Sequence, residues 1–446
     1  MKSIIYLLLC CVQINCYPLS GDQNNQDDNR EDSDLKRKHP FLDKEDKKPT
    51  DYDKITSINV DFAFRFYNQI ISGTADKNVF LSPLGISTAF AMLALGAKSE
   101  TQVQLLKGLG VNLSEIKEEE IHEGFHYLLH NRPYAKSEVT MWTEPEVNIG
   151  NALFVEENLK PLPEFSKGIK ALYEAESFSC NFSNYIEAEE QINDYIMNKT
   201  GGKIPHSVDR LDQTTVMVLV NYITFKADWK LAFDTASITE EDFFVDANRT
   251  VKVNLMSQEG YYKYLRDDVL SSWVVEIDFR GDGIAETYRD DITALFILPD
   301  EGKMKYLEGA LLKESISKWV TFFRTSAYED LHLSIPKFTI SSSYDLKDIM
   351  EKLGVTDIFN NDADLSGING ERNLKVSKIV HKAVLDIRES GTEEEKVTTL
   401  WSWPVFHPVS STPIIKFNKP YMMVILDKRI NIIFLAKMVD PTEGGT

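Results

Sequence analysis

Apolar positions along the chain recur first at helical and then mostly at strand spacing. Val60, Ala63, Phe66 (or Tyr67) and Ile70 follow Thr56 and Ser57, either of which can cap a helix by accepting its free amide hydrogens. Ser82-Pro83 is a stronger start, because proline is pre-set for the first helical position; Gly96 then ends an apolar, buried helix. Ser99 with Gln102 resembles a capping box, and Gly108 or Gly110 stops that helix. Ala188, Ile192, Tyr195 and Ile196 stand at i, i+4, i+7 and i+8, so residues 186–197 read as an amphipathic helix between strands at 142–156 and 216–225. After Phe233 strands predominate, at 251–256, 273–279, 293–298, 331–338, 422–426 and 430–438, with short helices at 304–312 and 314–322. The mixture predicts an α+β domain with large, mostly antiparallel sheets.

One long interruption breaks this pattern. Ala383, Leu385 and Ile387 alternate with Val384, Asp386 and Arg388, the period of a partly buried strand, and residues 422–426 are nearly all apolar, as in a strand buried on both faces. Between them lie more than twenty residues without apolar periodicity, running from Glu389 through Trp401, Trp403 and Pro404. A loop that long in a compact domain is usually functional or disordered.

With 446 residues, 43% of them hydrophobic, the chain can bury a large core, and no linker or repeat divides residues 55–446, which read as a single domain. Residues 1–16 open with Lys2 and an apolar run too short to span a bilayer, so they read as a cleaved secretory signal. Cleavage there removes three of four cysteines and leaves Cys180 alone, read as a buried small hydrophobe, with pairing to another molecule or a ligand as the other reading. Residues 17–54 are too polar to offset their ordering entropy by burial and read as a disordered, mixed-charge arm. Sequons at Asn112, Asn181, Asn198 and Asn248 are plausible glycan acceptors in a secreted chain. A net charge of -20 argues against nucleic-acid binding, which needs a basic face.

Catalytic signatures are sparse. His122-Glu123-Gly124-Phe125-His126 fits H-E-x-x-H, which on a helix sets two imidazoles one turn apart to hold zinc, and His130 adds a third. Gly124 weakens a helix there, and Glu118-Glu119-Glu120 reads as a solvated turn, so neither a metal nor a catalytic site is assigned. There is no G-x-S-x-G, Walker loop, CxxC or nucleotide fingerprint, and the chain reads as a non-enzyme without a cofactor.

Four ordered motifs carry a resemblance. Asn78-Val79-Phe80-Leu81-Ser82-Pro83-Leu84-Gly85-Ile86-Ser87, the run from Val220-Asn221 to Trp229, His381-Lys382-Ala383-Val384-Leu385 and Phe417-Asn418-Lys419-Pro420-Tyr421-Met422 are similar to serpin motifs, over about residues 55–443. Residues 57–64, 149–154 and 218–223 look closest to the plasma carrier branch of thyroxine-binding-globulin type. The resemblance implies a serpin fold with a helical bundle and an exposed reactive-centre-like loop, and puts the H-E-x-x-H segment on the surface. It also implies a structural cluster of Ser82, Asn221 and His381 near Trp229, with Gly85 where the family usually has a second serine, so a thinner network is expected.

Inhibitory serpins insert the loop's hinge into a sheet after cleavage, which requires small uncharged side chains. Here the hinge comprises Glu389, Gly391, Thr392, Glu393, Glu394, Glu395 and Lys396, and either register of insertion buries at least one charge. Carried over from the carrier branch by position, a ligand pocket would involve Thr56, Lys313, Ile316, Ser317, Val320, Lys428, Arg429 and Ile430. Lys313, Ile316, Ser317 and Val320 stand at i, i+3, i+4 and i+7, one helix face with two apolar contacts and two polar ends; Ile316 and Val320 as plain core is the equal alternative. Val320 and Ile430 replace an Asn and an Arg that thyroxine carriers have in common, so thyroxine itself is not expected. The chain thus reads as a secreted, monomeric, non-inhibitory serpin carrying a small hydrophobic or amphipathic molecule, such as a hormone, bile pigment or alkaloid-like ligand. No nucleic-acid or membrane partner and no stable protease complex are expected. The alternative is a serine protease inhibitor acting through residues 389–416; a collagen-chaperone type is disfavoured because residues 442–446 are not a retention signal.

Overall fold

In a computed structural model, the described residues are 51–443 except 73, 75, 131–144, 205–207, 280–291, 392–411 and 428. The first half is α1 (Asp51–Ile71), β1 (Val79–Leu81), α2 (Pro83–Gly96), α3 (Ser99–Leu109), α4 (Glu118–His130), β2 (Glu146–Glu156), α5 (Pro163–Tyr173), β3 (Glu176–Cys180), α6 (Tyr185–Lys199) and β4 (Met217–Lys226). Then follow β5 (Ile238–Phe244), β6 (Thr250–Asp267), β7 (Ser272–Asp278), β8 (Ile292–Pro299), α7 (Met304–Ala310), α8 (Lys313–Thr325), β9 (Glu329–Pro336) and β10 (Phe338–Asp345). The chain closes with α9 (Lys347–Lys352), α10 (Ser366–Asn369), β11 (Lys378–Ile387), β12 (Ile414–Lys416), β13 (Tyr421–Asp427) and β14 (Ile432–Met438).

Among the described residues there are two sheets, of nine and five strands, the smaller ordered β10-β11-β4-β2-β3. Most strand pairs are antiparallel, as predicted. The exceptions include β11 on β4, parallel over seven residue pairs from Lys378↔Val218 to Val384↔Thr224. Both faces of this pair are buried. Leu219, Ile223, Ile379 and Ala383 join the main core, while Val218, Val220 and Val380 join a second cluster with Ala188, Ile192 and Ile196 of α6. Cys180 lies in that second cluster, and burial, reinforced by Glu156, Glu157 and Glu187, pushes its thiol up to about 11.

Ser82 caps α2 as its sequence predicts, its Oγ accepting the Gly85 amide at 3.1 Å with Pro83 at the first helical position. Elsewhere the local pattern misled. α1 begins at Asp51, within the stretch read as arm, so Thr56 and Ser57 lie in its second turn and cap nothing. Glu118, Glu119 and Glu120 are not a solvated turn but the first turn of α4, where the helix dipole favours carboxylates. Gly124 marks a close helix approach, because a Cβ there would stand 2.3 Å from Cγ1 of Ile55 on α1. Residues 251–256 are only the start of β6, and Ile430 falls in the turn before β14.

Replacing Gly124 by alanine should therefore force α1 and α4 apart and destabilise the protein by about 1–3 kcal/mol. A lower denaturant midpoint with unchanged far-ultraviolet dichroism is the expected result; an unchanged midpoint would mean that the two helices part without cost.

Candidate functional site

The chain leaves β11 through a tight turn fixed from one side. The Trp229 amide donates to Ser390 O at 2.8 Å, its indole Nε1 to Arg388 O at 2.8 Å, and the Phe233 amide to Glu389 O at 2.9 Å. Trp229 is itself buried and stacked on Phe279, 4.5 Å between centroids. Lys337 Nζ lies 2.8 Å from the Glu389 carboxylate. Gly391 has φ 142, and a Cβ would meet Ala227 O at 2.1 Å, so only glycine passes here. The remaining hinge positions, Thr392, Glu393, Glu394, Glu395 and Lys396, lie outside the described residues.

Below this turn the predicted cluster forms across the β11–β4 pair, where His381 is the register partner of Asn221. Nδ1 of His381 donates to Asn221 Oδ1 at 2.6 Å, and Nε2 accepts the Ser82 amide at 3.1 Å, which fixes one neutral tautomer. Asn221 Nδ2 donates to Asn151 Oδ1 at 2.9 Å. A Cβ on Gly85 would stand 2.6 Å from Asn221 Oδ1, so a serine at that place would displace the asparagine from its present position. Burial holds the His381 imidazole down at about 3.

Five residues further along α2, Ser87 leads to a second region, where α1 contacts both α8 and the β13–β14 turn. Asn59 of α1 donates to Asn431 Oδ1 at 2.7 Å and accepts the Ser87 hydroxyl of α2 at 2.6 Å. Lys313, the first residue of α8, donates to Ser57 Oγ and lies 3.5 Å from Asp61, so its charge already faces a carboxylate. Further along α8 the Trp319 indole donates to Asp267 Oδ2 at 2.8 Å. Thr56, Ile316 and Val320 are buried and Ser317 is half-buried; Ile316 and Val320 pack into the main core, as the plainer of their two readings has it. Arg429 is exposed, its guanidinium 4.6 Å from the Tyr127 ring centroid, and Lys428 lies outside the described residues. Ile430 has φ 69, a left-handed backbone costing a β-branched residue about 1–2 kcal/mol. The turn persists because Asp427 accepts the Arg429 and Asn431 amides at 2.9 and 3.0 Å. Burial pushes that carboxyl up to about 6 against those donors. Strain of this kind collects at ligand sites. Asn59, Asp61, Asp427 and Asn431 were missed in the sequence; the available signal was polar residues set within apolar runs.

A family model described as serpin (serine protease inhibitor) matches residues 57–441. Alpha-1-antiproteinase 2 of Equus caballus is 42% identical over 391 residues, 87% of this chain and 88% of the relative. The chain belongs to the serpin family. Alpha-1-antitrypsin of Sus scrofa is 41% identical over 436 residues, 98% of this serpin and 96% of the relative. Among solved structures, human thyroxine-binding globulin with its hormone bound is 37% identical with a TM-score of 0.79, covering 88% of this serpin and all of that chain. Human glycosylated kallistatin is 40% identical, also at 0.79, covering 89% and all of that chain.

Two other groups of candidates separate. The four sequon asparagines, Asn112, Asn181, Asn198 and Asn248, are all exposed. His122 of the H-E-x-x-H match is buried, against the expectation that this segment lies on the surface, because it fills the contact with α5: its Nδ1 is 2.5 Å from the Tyr173 hydroxyl. The side chain of His130 lies outside the described residues, and no group of three metal-ligating side chains occurs among the described ones.

Burial depresses His381 to about 3 and His122 to about 4, so the folded serpin keeps both neutral while unfolded chains protonate them below about 6.5. Their contribution to stability is full above that pH and lost as pH falls, at about 1.4 kcal/mol per pH unit for each histidine. Denaturant midpoints between pH 6.5 and 4 should fall less steeply in His122→Gln than in wild type, by about one proton's worth. Equal slopes would mean that His122 carries a proton in the folded state.

Proposed function

We propose that this serpin is a secreted, non-inhibitory carrier of an amphipathic small molecule. The observation that carries the non-inhibitory half is the run Glu393-Glu394-Glu395-Lys396 in the hinge. A strand entering between β11 and β4 sends alternate side chains to two buried faces, one against the main core and one against α6. Four consecutive charges have no harmless register there, since an unpaired buried ion costs on the order of several kcal/mol. The carrier half is supported by the meeting of α1, α8 and the β13–β14 turn, and by a second solved structure, thyroxine-binding globulin in complex with thyroxine, at 38% identity and TM-score 0.77. In this reading the ligand region comprises Thr56, Lys313, Ile316, Ser317, Val320, Lys428, Arg429 and Ile430, with Lys313, Ser317, Arg429 and Ile430 on the face a ligand can reach and Thr56, Ile316 and Val320 behind it in the core. The signal at 1–16 is removed, the exposed sequons carry glycans, and the protein works as a monomer in body fluid.

A protease-inhibitor reading is favoured by the names of relatives 41–42% identical, and an SDS-stable complex with any serine protease would establish it. The carrier reading is tested at Ser317, whose side chain is half-buried on the α8 face and can be enlarged without entering the core. With 8-anilinonaphthalene-1-sulfonate as the amphipathic probe, Ser317→Trp should weaken binding about tenfold or more at an unchanged denaturant midpoint, the loss of roughly one good contact region. Arg429→Ala asks whether the cation contributes, an effect of about 1–3 kcal/mol for a charge-assisted contact. Unchanged affinity in both variants would remove the site from the α1, α8 and β13–β14 region.

A further inference from the structure

One polar cluster outside the site touches α8 directly. α8 is bonded to β6 at Lys263 and Asp267, and Lys263 is the register partner of Glu276 on β7. Lys263 Nζ donates to Phe323 O at 2.6 Å, one of the last carbonyls of α8, whose helical acceptors have no amide partner within the helix. A cation at that end also complements the helix dipole. The same ammonium lies 3.6 Å from Glu276 Oε1 and 4.9 Å from the Tyr328 ring centroid. Both side chains of the ion pair are largely shielded, 15% and 11% exposed.

The other groups facing this pair are already engaged. Asp278, two residues along β7, accepts the Tyr328 hydroxyl at 2.8 Å and lies 3.4 Å from Lys230 Nζ. Lys230 comes from the segment after β4, and on β8 the register partner of Glu276 is the uncharged Leu295. Among the described residues, Glu276 is thus the carboxylate paired with Lys263.

Resting on the carrier reading of α8, we propose that Lys263 is a positioning residue for the α8 wall of the ligand site and that protonation of Glu276 releases it. With Glu276 ionised, Lys263 is balanced and stays on Phe323 O. With Glu276 neutral, the ammonium keeps, among the described residues, the Phe323 carbonyl and the Tyr328 ring in a shielded recess where an uncompensated charge is unfavourable, and it moves toward water. The C-terminal turn of α8, one turn beyond Val320, then keeps the Ser326 hydroxyl on the Phe323 carbonyl but loses its tether to β6, while Trp319 stays on Asp267. Burial, with Asp278 adding to it, pushes Glu276 up to about 7 against the pull of Lys263 and Lys230. The tether is thus on above that pH and off below it, and the carrier holds its ligand more tightly in neutral fluid than in mildly acidic fluid.

Two measurements on the full chain test this between pH 8 and 5.5. Hydrogen exchange across residues 316–326 of the unliganded protein, corrected for the intrinsic pH dependence, should show protection that drops through pH 7. Affinity for 8-anilinonaphthalene-1-sulfonate, whose own charge does not change in this range, should fall about fivefold or more with it, a coupling of ordinary size. In Glu276→Gln both quantities should sit at their low-pH values throughout; in Lys263→Met likewise, and Lys263→Arg should restore the step. Protection that is the same at both pH values, or a step that survives in Glu276→Gln, overturns the proposal. A step in protection without one in affinity also overturns it as a device of the site. If Ser317→Trp also leaves probe binding intact, that failure lies with the carrier reading rather than with the tether.

Discussion

The parallel pairing of β11 with β4 is the contact on which the rest of this serpin depends. Seven residue pairs close it, and its two faces are sealed by the main core and by α6. His381 and Asn221 bind each other across the seam, and Ser82 ties them to the start of α2. Above the seam, Trp229 holds the exit turn at Arg388 and Ser390. A serpin that inhibits proteases must open this seam and fill it. The run from Glu393 to Lys396 meets that requirement badly, because its charged side chains would enter a region where His381, Asn221 and Asn151 already bind one another.

A second region is organised by α1. Its Asn59 reaches the β13–β14 turn, its Ser57 and Asp61 hold Lys313, and Ile55 fits against Gly124 of α4. Each link is polar or close-packed, so the three elements are placed by directional contacts as well as by apolar burial. α8 in turn is held at both ends and at Trp319. A wall fixed at discrete points is one whose position individual side chains can change.

How much of this was legible in the sequence follows from the range of the interactions. Ser82-Pro83 announces α2 because capping is local, and the His381 and Asn221 motifs are recognisable because short runs around them resemble the family. α4 escaped because Gly124 suggests a broken helix unless the neighbouring Ile55 is known. The carried-over positions on α8 do fall on one face, but that Ile316 and Val320 are buried and that Lys313 already faces Asp61 are tertiary facts with no local spacing. The same holds for Lys263 and Glu276, which are thirteen positions apart and meet only through strand register.

The central claim is that the seam between β11 and β4 does not accept the hinge. Melting curves recorded before and after a single proteolytic nick between Leu400 and Ser411 address it most directly, since insertion adds a central strand and its hydrogen bonds to the five-stranded sheet. The account predicts that the nicked protein melts within a few degrees of the intact one. A rise on the order of tens of degrees, many kcal/mol in a domain of this size, would show that the hinge enters despite its charges and would contradict the account.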